Sequence, residues 1–148
     1  MTCMARHDLS KREVLSKAQA YCARSEHCAA DVRRKLIEWG VADDEDFFDF
    51  IEQNLRADGY IDDERFCRAY VHDKVAYQSW GRVKIQAGLQ ALRLPSAAIR
   101  SALEDIDEAQ YTANLRKLAQ QRRSDAPDKR LRFLLQRGFT YEEIKNVM

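Results

Sequence analysis

The chain has 148 residues, the usual length of one domain. Its 25 Lys and Arg nearly balance its 24 Asp and Glu, and 45% of its residues are hydrophobic, which excludes a disordered chain. No run approaches the roughly 18 apolar residues of a membrane span, and the first residues lack the apolar core of a secretion signal. Five Gly and two Pro are too few for the tight turns of a β-sandwich or barrel. We therefore expect an all-α protein that is neither membrane-bound nor secreted.

Apolar residues recur at intervals of three and four along nearly the whole chain, the spacing that gives a helix one buried face. No segment shows the alternation typical of a strand. The stripes predict about nine short helices. In chain order they include Val14, Ala18 and Cys22; Val32 and Leu36; Phe47, Ile51 and Leu55; Phe66 and Tyr70; Ile85 and Leu89; Ile99 and Leu103; Tyr111 and Leu115; Leu131 and Leu134; and Ile144 and Val147.

Residues suited to helix starts stand before several of these stripes. Ser25, Asp43 and Asp62 can each accept a hydrogen bond from an amide of the first turn. Pro95 and Pro127 suit a first turn, where a missing N–H costs little. These residues predict five helix N-termini.

Other residues predict one more helix N-terminus, two helix C-termini and one contact between helices. Thr140 and Glu143 have the spacing of a capping box. Gly40 and Gly138 follow apolar stripes and are expected in the left-handed conformation that ends helices. Gly88 lies inside a stripe, where it costs about 1 kcal/mol relative to Ala. We interpret it as a point of close approach to another helix.

A degenerate repeat runs through the sequence. A Leu, three further residues, a break and an apolar residue recur as Leu36 to Val41, Leu89 to Leu94 and Leu134 to Phe139. A further helix is predicted after each break. The pattern indicates three tandem three-helix units, which fold together because a unit of this size buries too little surface alone.

The predicted organisation is an N-terminal extension at residues 1–10 and three-helix repeats at 11–59, 60–106 and 107–148. Because each repeat packs mainly on its neighbour, we expect an elongated stack, with room for curvature. A compact bundle around a single core is the competing architecture.

Charge is strongly segregated along the chain. Residues 43–64 contain ten acidic groups and one basic group, whereas residues 110–148 contain nine basic and four acidic groups. The acidic block, from Asp43 to Glu64, is interpreted as a solvated face with carboxylates at helix starts. A docking surface for a basic partner is its alternative interpretation.

Basic residues cluster at the second helix of each predicted repeat. Aligned along the stack, they would form a positive stripe able to follow a phosphate backbone, giving affinity and salt dependence without base specificity. The candidate contact residues are Arg33, Arg34, Lys35, Arg82, Lys84, Arg122, Arg123, Lys129, Arg130 and Arg132. Trp80, just before Arg82, is either a packing cover or a contact for a partner.

The four cysteines, at positions 3, 22, 28 and 67, are expected to be reduced thiols in the cytoplasm. A metal site formed by Cys22, His27 and Cys28 is the alternative, although a second close pair of ligands is missing.

No nucleophile-and-base motif, zinc-protease motif or phosphate-binding loop is present, so we expect no catalytic residues, no metal and no cofactor. A magnesium-dependent nuclease built on Asp62, Asp63 and Glu64 is the enzymatic alternative.

Four segments resemble one known family. The strongest is Gly59–Val71, which reads GYIDDERFCRAYV, and the second is Ala20–Glu26, which reads AYCARSE. The other two are Trp80-Gly81-Arg82 and the terminal Gln136-Arg137-Gly138-Phe139. In this order and spacing they resemble the RecX regulatory proteins, bacterial modulators of the RecA recombinase, over roughly residues 12–148.

The resemblance implies three tandem three-helix repeats, each distantly like a helix-turn-helix unit. It implies binding along a RecA filament on single-stranded DNA and inhibition of the RecA ATPase, recombinase and coprotease activities. The setting would be DNA repair, homologous recombination and the SOS response. A monomeric, cytoplasmic regulator that also touches single-stranded or duplex DNA fits this picture.

A free-standing helix-turn-helix-like DNA-binding protein is the alternative from another class. No repeat carries a helix rich in Arg, Asn and Gln at base-reading spacing, which argues against it.

Overall fold

The structure, a computed structural model, describes residues 2–41 and 44–148, with side chains from residue 11 onward. All regular secondary structure in these ranges is helical, which confirms the all-α prediction. The described helices are α1 (Thr2–Arg24), α2 (Ala29–Glu38), α3 (Glu45–Ala57), α4 (Asp63–Ala76), α5 (Arg82–Ala91), α6 (Ser96–Glu104), α7 (Glu108–Gln121), α8 (Pro127–Gln136) and α9 (Tyr141–Lys145). No helix in the described part of the chain is long and apolar enough to cross a bilayer.

The helices follow one another as three triplets, but they divide into two compact units. The first unit is Met1–Phe66 and the second is Cys67–Met148, so the second and third triplets share most of one unit. The boundaries assigned to the three repeats from sequence remain a prediction.

In the first unit, α1, α2 and α3 each pack on the other two. Their apolar stripes meet in one core, as the periodicity predicted. The buried members are Val14, Ala18, Cys22, Val32, Leu36, Phe47, Phe48, Ile51, Leu55 and Ile61.

An ion pair between Arg65 and Glu26 joins the start of α4 to the segment between α1 and α2. Arg65 Nε donates to Glu26 Oε2 at 2.6 Å, and its Nη2 donates to the carbonyl of Gly59 at 3.0 Å. The two segments that carry the strongest family resemblance, around Glu26 and around Arg65, therefore contact each other.

The predicted repeat is a helix-ending motif at all three predicted positions, and the same motif also ends α3, where the Tyr60 amide donates to the Leu55 carbonyl at 2.8 Å around Gly59 with φ of 77°. The amides of Val41, Leu94 and Phe139 donate to the carbonyls of Leu36, Leu89 and Leu134 at 3.0, 3.2 and 3.3 Å. The residue before each donor has positive φ: Gly40 at 86°, Arg93 at 62° and Gly138 at 103°. This six-to-one bond around a left-handed residue is the Schellman motif. In each case the Leu is at most 1% exposed. The helix therefore ends, and the chain changes direction, one turn after a residue that is fixed in the core.

Helix starts follow the sequence signals in part. The Asp62 side chain accepts from the Arg65 amide at 3.0 Å, and Thr140 and Glu143 form the expected capping box. Pro127 is the first residue of α8, whereas Pro95 lies one residue before α6.

The other two predicted N-caps are Ser25 and Asp43. The Ser25 prediction is wrong: α2 begins after Cys28, whose amide donates to Asp31 Oδ2 at 3.4 Å, while the Ser25 hydroxyl lies 3.0 Å from His27 Nε2. Asp43 lies outside the described residues. Its neighbour Asp44 caps α3 by accepting from the Phe47 amide at 3.2 Å.

In the second unit, two glycines allow backbone contact between distant helices. The Gly81 amide donates to the Arg137 carbonyl at 2.8 Å, and the Val83 amide donates to the Gly138 carbonyl at 3.0 Å. A methyl group on Gly81 would overlap the Gly138 carbonyl and the Phe139 nitrogen. The N-terminus of α5 and the C-terminus of α8 thus satisfy each other's unpaired backbone groups.

Beside this contact, Tyr111 joins three helices. Its ring is 3% exposed, and its hydroxyl accepts from the Arg82 amide at 3.0 Å and lies 3.2 Å from Glu143 Oε1. Burial, with the nearby Glu143 carboxylate, raises the Tyr111 pKa to about 12. On α7, buried Asn114 donates to the Val75 carbonyl of α4 at 2.8 Å.

Gly88 is a point of close approach, as predicted. A methyl group there would overlap the Tyr70 hydroxyl, so α4 and α5 cross at this position.

Gly81→Ala should lower the free energy of unfolding by about 3 kcal/mol, because the methyl group meets backbone that cannot move aside. Gly88→Ala is the matched control. Its methyl group meets only the end of a side chain that can rotate, and Ala favours the helix, so the loss should be under about 1 kcal/mol. Urea denaturation measures both, and equal losses would contradict the backbone contact.

The Tyr111 pKa also predicts a pH dependence. A phenol whose pKa rises from 10.0 to about 12 on folding stabilises the folded state fully below pH 10. That stability is lost as the pH rises from 10 through 12, and two pKa units correspond to about 2–3 kcal/mol. Tyr111→Phe should remove this part of the decline. Chemical denaturation of both proteins between pH 9 and 12 tests it, and parallel curves would contradict it.

Candidate binding surface

The ten basic residues predicted as contacts differ sharply in their surroundings. Five already have an acidic partner: Arg33, Arg34, Lys35, Arg82 and Arg122. The others form no ion pair within the described ranges. An arginine or lysine that is already paired adds less to a new electrostatic contact.

The first cluster lies on α2 in the first unit and is fully paired. Arg33 bonds Glu45, with its Nη1 3.3 Å from Oε2, and its guanidinium lies over the Phe48 ring at 4.4 Å. This contact lowers the pKa of the Glu45 carboxyl. Arg34 lies 3.6 Å from Asp31, and Lys35 lies 3.3 Å from Glu38.

Arg82 holds the second unit together. Its guanidinium pairs with Glu108 and lies 3.5 Å from Glu143, and it stacks over the Tyr111 ring at 4.3 Å. Only 28% of its side chain is exposed. Arg82 therefore positions helices, and its free hydrogen-bonding capacity is small.

The third cluster surrounds the turn between α7 and α8. Arg122 lies 3.7 Å from Asp125 and over the Phe133 ring at 4.0 Å. Arg123 and Arg130 donate to the carbonyls of Gln120 and Ala119.

Lys129 and Arg132 are exposed on one face of α8, three residues apart. Neither forms a hydrogen bond or ion pair in the described part of the chain. They are available to an external anion.

Lys84 belongs to a group that the sequence did not delineate. Its Nζ lies 4.4 Å from the centroid of Trp80, and Nζ of Lys74, on α4, lies at the same distance. Both ammonium groups are attracted to the indole. Lys84 packs beside Gly138, at the end of α8.

The sequence analysis missed Lys74 because it lies six residues before Trp80 and on α4, whereas Lys84 lies on α5. The detectable signal was charge: from Lys74 to Leu103 the sequence contains no Asp or Glu.

The metal and nuclease alternatives gain no support. His27 lies between the Ser25 hydroxyl and Asp31, and stacks on the Tyr21 ring at 3.8 Å. Burial raises the Cys22 pKa to about 11, which disfavours a thiolate. Among the described side chains, no three His, Cys, Asp or Glu are placed to hold a metal ion.

The acidic pair at the start of α4 has structural partners. Asp62 caps the helix, and Asp63 Oδ1 lies 3.2 Å from Arg56 Nη1. Both carboxylates therefore act in the way expected at a helix start.

A known protein family matches one of the three helical triplets. The family described as "RecX, second three-helix domain" matches residues 62–103, which span α4 to α6. "Regulatory protein RecX" of Xanthomonas axonopodis pv. citri (strain 306) is 30% identical over 138 residues, covering 88% of this chain and 83% of the relative. The chain belongs to the RecX family of regulatory proteins.

Other RecX proteins differ in length. The RecX of Geobacillus kaustophilus (strain HTA426) is also 30% identical, over 87% of this chain, but the match spans 49% of that relative. The match to the RecX of Geobacillus thermodenitrificans (strain NG80-2) spans 53% of that relative. The chain therefore spans about half the length of these two relatives.

Two solved structures share the fold. One, a "Crystal structure of regulatory protein RecX", has a TM-score of 0.80 at 20% identity and covers 99% of this chain and 78% of its own. The other, RecX from Lactobacillus salivarius, has a TM-score of 0.76 at 19% identity and covers 93% of each chain.

Asp62→Ala should cost about 1 kcal/mol of stability, the usual effect of losing an N-cap. Because the role is structural, binding and regulatory activity should be unchanged at temperatures where the variant is folded. Thermal unfolding and a magnesium-dependent DNA cleavage assay test the two roles. Cleavage by the wild type that this variant abolishes would favour the nuclease.

Proposed function

We propose that this chain regulates RecA by binding RecA filaments on single-stranded DNA, and that it mainly inhibits the ATPase, recombinase and coprotease activities. Membership of the RecX family is the observation that carries the proposal. The biological setting would be DNA repair. The chain would act as a binding protein, without chemistry of its own.

The mechanism would be a shift of populations. A ligand that prefers one state of a filament stabilises that state by the difference between its two affinities. A regulator that binds several protomers, or prefers an inactive arrangement, therefore lowers the active fraction without touching the ATP site.

The ion-pair pattern supports a narrower contact surface than the sequence suggested. Lys84, Lys129 and Arg132 have no acidic partner among the described residues, whereas the α2 cluster is paired. We propose that the contacts lie mainly in the second unit, with Arg123 and Arg130 beside them.

The direct test is titration of this protein into a RecA ATPase assay on single-stranded DNA at two salt concentrations. The rate should fall in a saturable manner, and more protein should be needed at high salt because exposed charges are screened. An unchanged rate over the whole titration would overturn the proposal.

Replacing Lys84, Lys129 and Arg132 together by Gln should raise the concentration for half-inhibition about tenfold, which is roughly 0.5 kcal/mol for each charge. The salt dependence should also become flatter. The matched control replaces Arg33, Arg34 and Lys35 by Gln, removing the same charge from paired positions, and should change half-inhibition about threefold or less. A larger effect of the control would place the contacts on α2 instead.

A further inference from the structure

One segment of the second unit has an unbalanced positive charge. Residues 74–103 contain five basic groups, namely Lys74, Arg82, Lys84, Arg93 and Arg100, and no acidic group. The imbalance is greatest around the loop between α4 and α5, residues 77–81.

Two lysines converge on this loop through one side chain. Lys74 Nζ and Lys84 Nζ each lie 4.4 Å from the centroid of Trp80, so they can be no more than twice that distance apart. Neither has an ion pair within residues 2–41 and 44–148. The indole therefore holds two ammonium groups close together, where their mutual repulsion favours a bound anion.

A third positive group lies against the loop. Arg137 Nη2 donates to the Gln78 carbonyl, and its buried Nε has no hydrogen-bond partner in the described structure. Glu108 and Glu143 pair with Arg82, and Asp73, next to Lys74 in sequence, lies 3.4 Å from His72.

An exposed aromatic residue, Tyr77, follows Lys74 by three residues at the end of α4, where its amide donates to the Asp73 carbonyl. Tyr77 is 76% exposed, the highest exposure among the large hydrophobic side chains described. Its ring contacts His72 edge-on, with the centroids 6.2 Å apart, and His72 lies 3.4 Å from Asp73. One face of an exposed aromatic ring next to unpaired lysines is the arrangement that binds unpaired bases.

We propose that Lys74, Tyr77, Trp80, Lys84 and Arg137, here called the Trp80 site, bind single-stranded nucleic acid directly. Lys74 and Lys84 bind neighbouring phosphates of one strand, Arg137 supplies positive potential beneath them, and a base stacks on Tyr77. The site extends the proposed function, on which it rests for its biological meaning, because the filament contains such a strand.

The exposed ring favours nucleic acid over an acidic protein segment. Carboxylates of a peptide would use the lysines but would leave the Tyr77 ring unburied. A duplex would offer phosphates without an accessible base face. Dependence on both the lysines and Tyr77 is therefore diagnostic of a single strand.

The experiment uses the two tryptophans of the chain as reporters. In a Trp39→Phe variant, emission comes from Trp80 alone, and an oligothymidylate should change it in a saturable manner. In a Trp80→Phe variant, Trp39 of the first unit should not respond. Polyglutamate and a duplex of equal length are the comparison ligands.

Affinity is measured by the anisotropy of a labelled oligothymidylate. Replacing Lys74 and Lys84 together by Gln should weaken binding about tenfold and reduce the salt slope by about 0.7 for each lysine. Tyr77→Ala should weaken it at least about fivefold.

The matched control replaces Lys11 and Lys17 by Gln. These lysines of the first unit also lie over aromatic rings, at 5.6 Å from Phe50 and 4.5 Å from Trp39. They have no ion pair among the described residues, yet their loss should change the affinity less than about twofold. Circular dichroism confirms that each variant is folded.

Three results would overturn the Trp80 site: unchanged affinity in the double lysine variant, an equal loss in the control, or polyglutamate binding that competes with DNA and ignores Tyr77→Ala. The outcome is separable from that of the proposed function. Oligothymidylate binding that is unchanged in the double lysine variant would refute only the site, because inhibition of RecA is measured separately, whereas DNA binding that depends on the site without any effect on RecA would refute only the function.

Discussion

The second unit depends on a place where two backbones touch. At Gly81 and Gly138 the absence of side chains lets the amides of Gly81 and Val83, at the start of α5, bond the carbonyls of Arg137 and Gly138, just after α8. Each helix end is satisfied by the other, so neither needs a side-chain cap there. The opposite partial charges of the two helix ends reinforce the contact. Tyr111 and Arg82 pack beside it and draw α7 and α9 onto the same point.

This contact changes the meaning of the family motifs. Trp80-Gly81-Arg82 and Arg137-Gly138-Phe139 are distant in sequence but bond each other through Gly81 and Arg137. The segments around Glu26 and Arg65 are likewise joined in the first unit. The motifs thus mark where helices meet. The proposed contact residues lie beside them: Lys74 and Lys84 are half-buried, and Lys129 and Arg132 are exposed on α8.

Prediction from sequence succeeded for the features that depend on local residue patterns. The helical stripes, the three helix ends at Gly40, Arg93 and Gly138, and the capping box at Thr140 all depend on residues a few positions apart in sequence. The Ser25 cap is wrong because α2 begins at Ala29, three residues later than a Ser25 cap would place it, and the Ser25 hydroxyl lies against His27 instead. The pairing state of the basic clusters was not predictable. Arg82 meets Glu108 and Glu143, which are far along the chain, and only the tertiary fold brings such partners together.

The helix-ending motif after α5 differs from the other three. Where glycine occupies the left-handed position in those three, the end of α5 has Arg93, with φ of 62°. A residue with a side chain is less stable in that conformation than glycine by about 1 kcal/mol. Arg93 is exposed and lies in the acid-free segment, so a cation occupies a helix end where glycine would be more stable. Glycine at this position would therefore relieve the left-handed strain, but it would remove one of the five cations of residues 74–103.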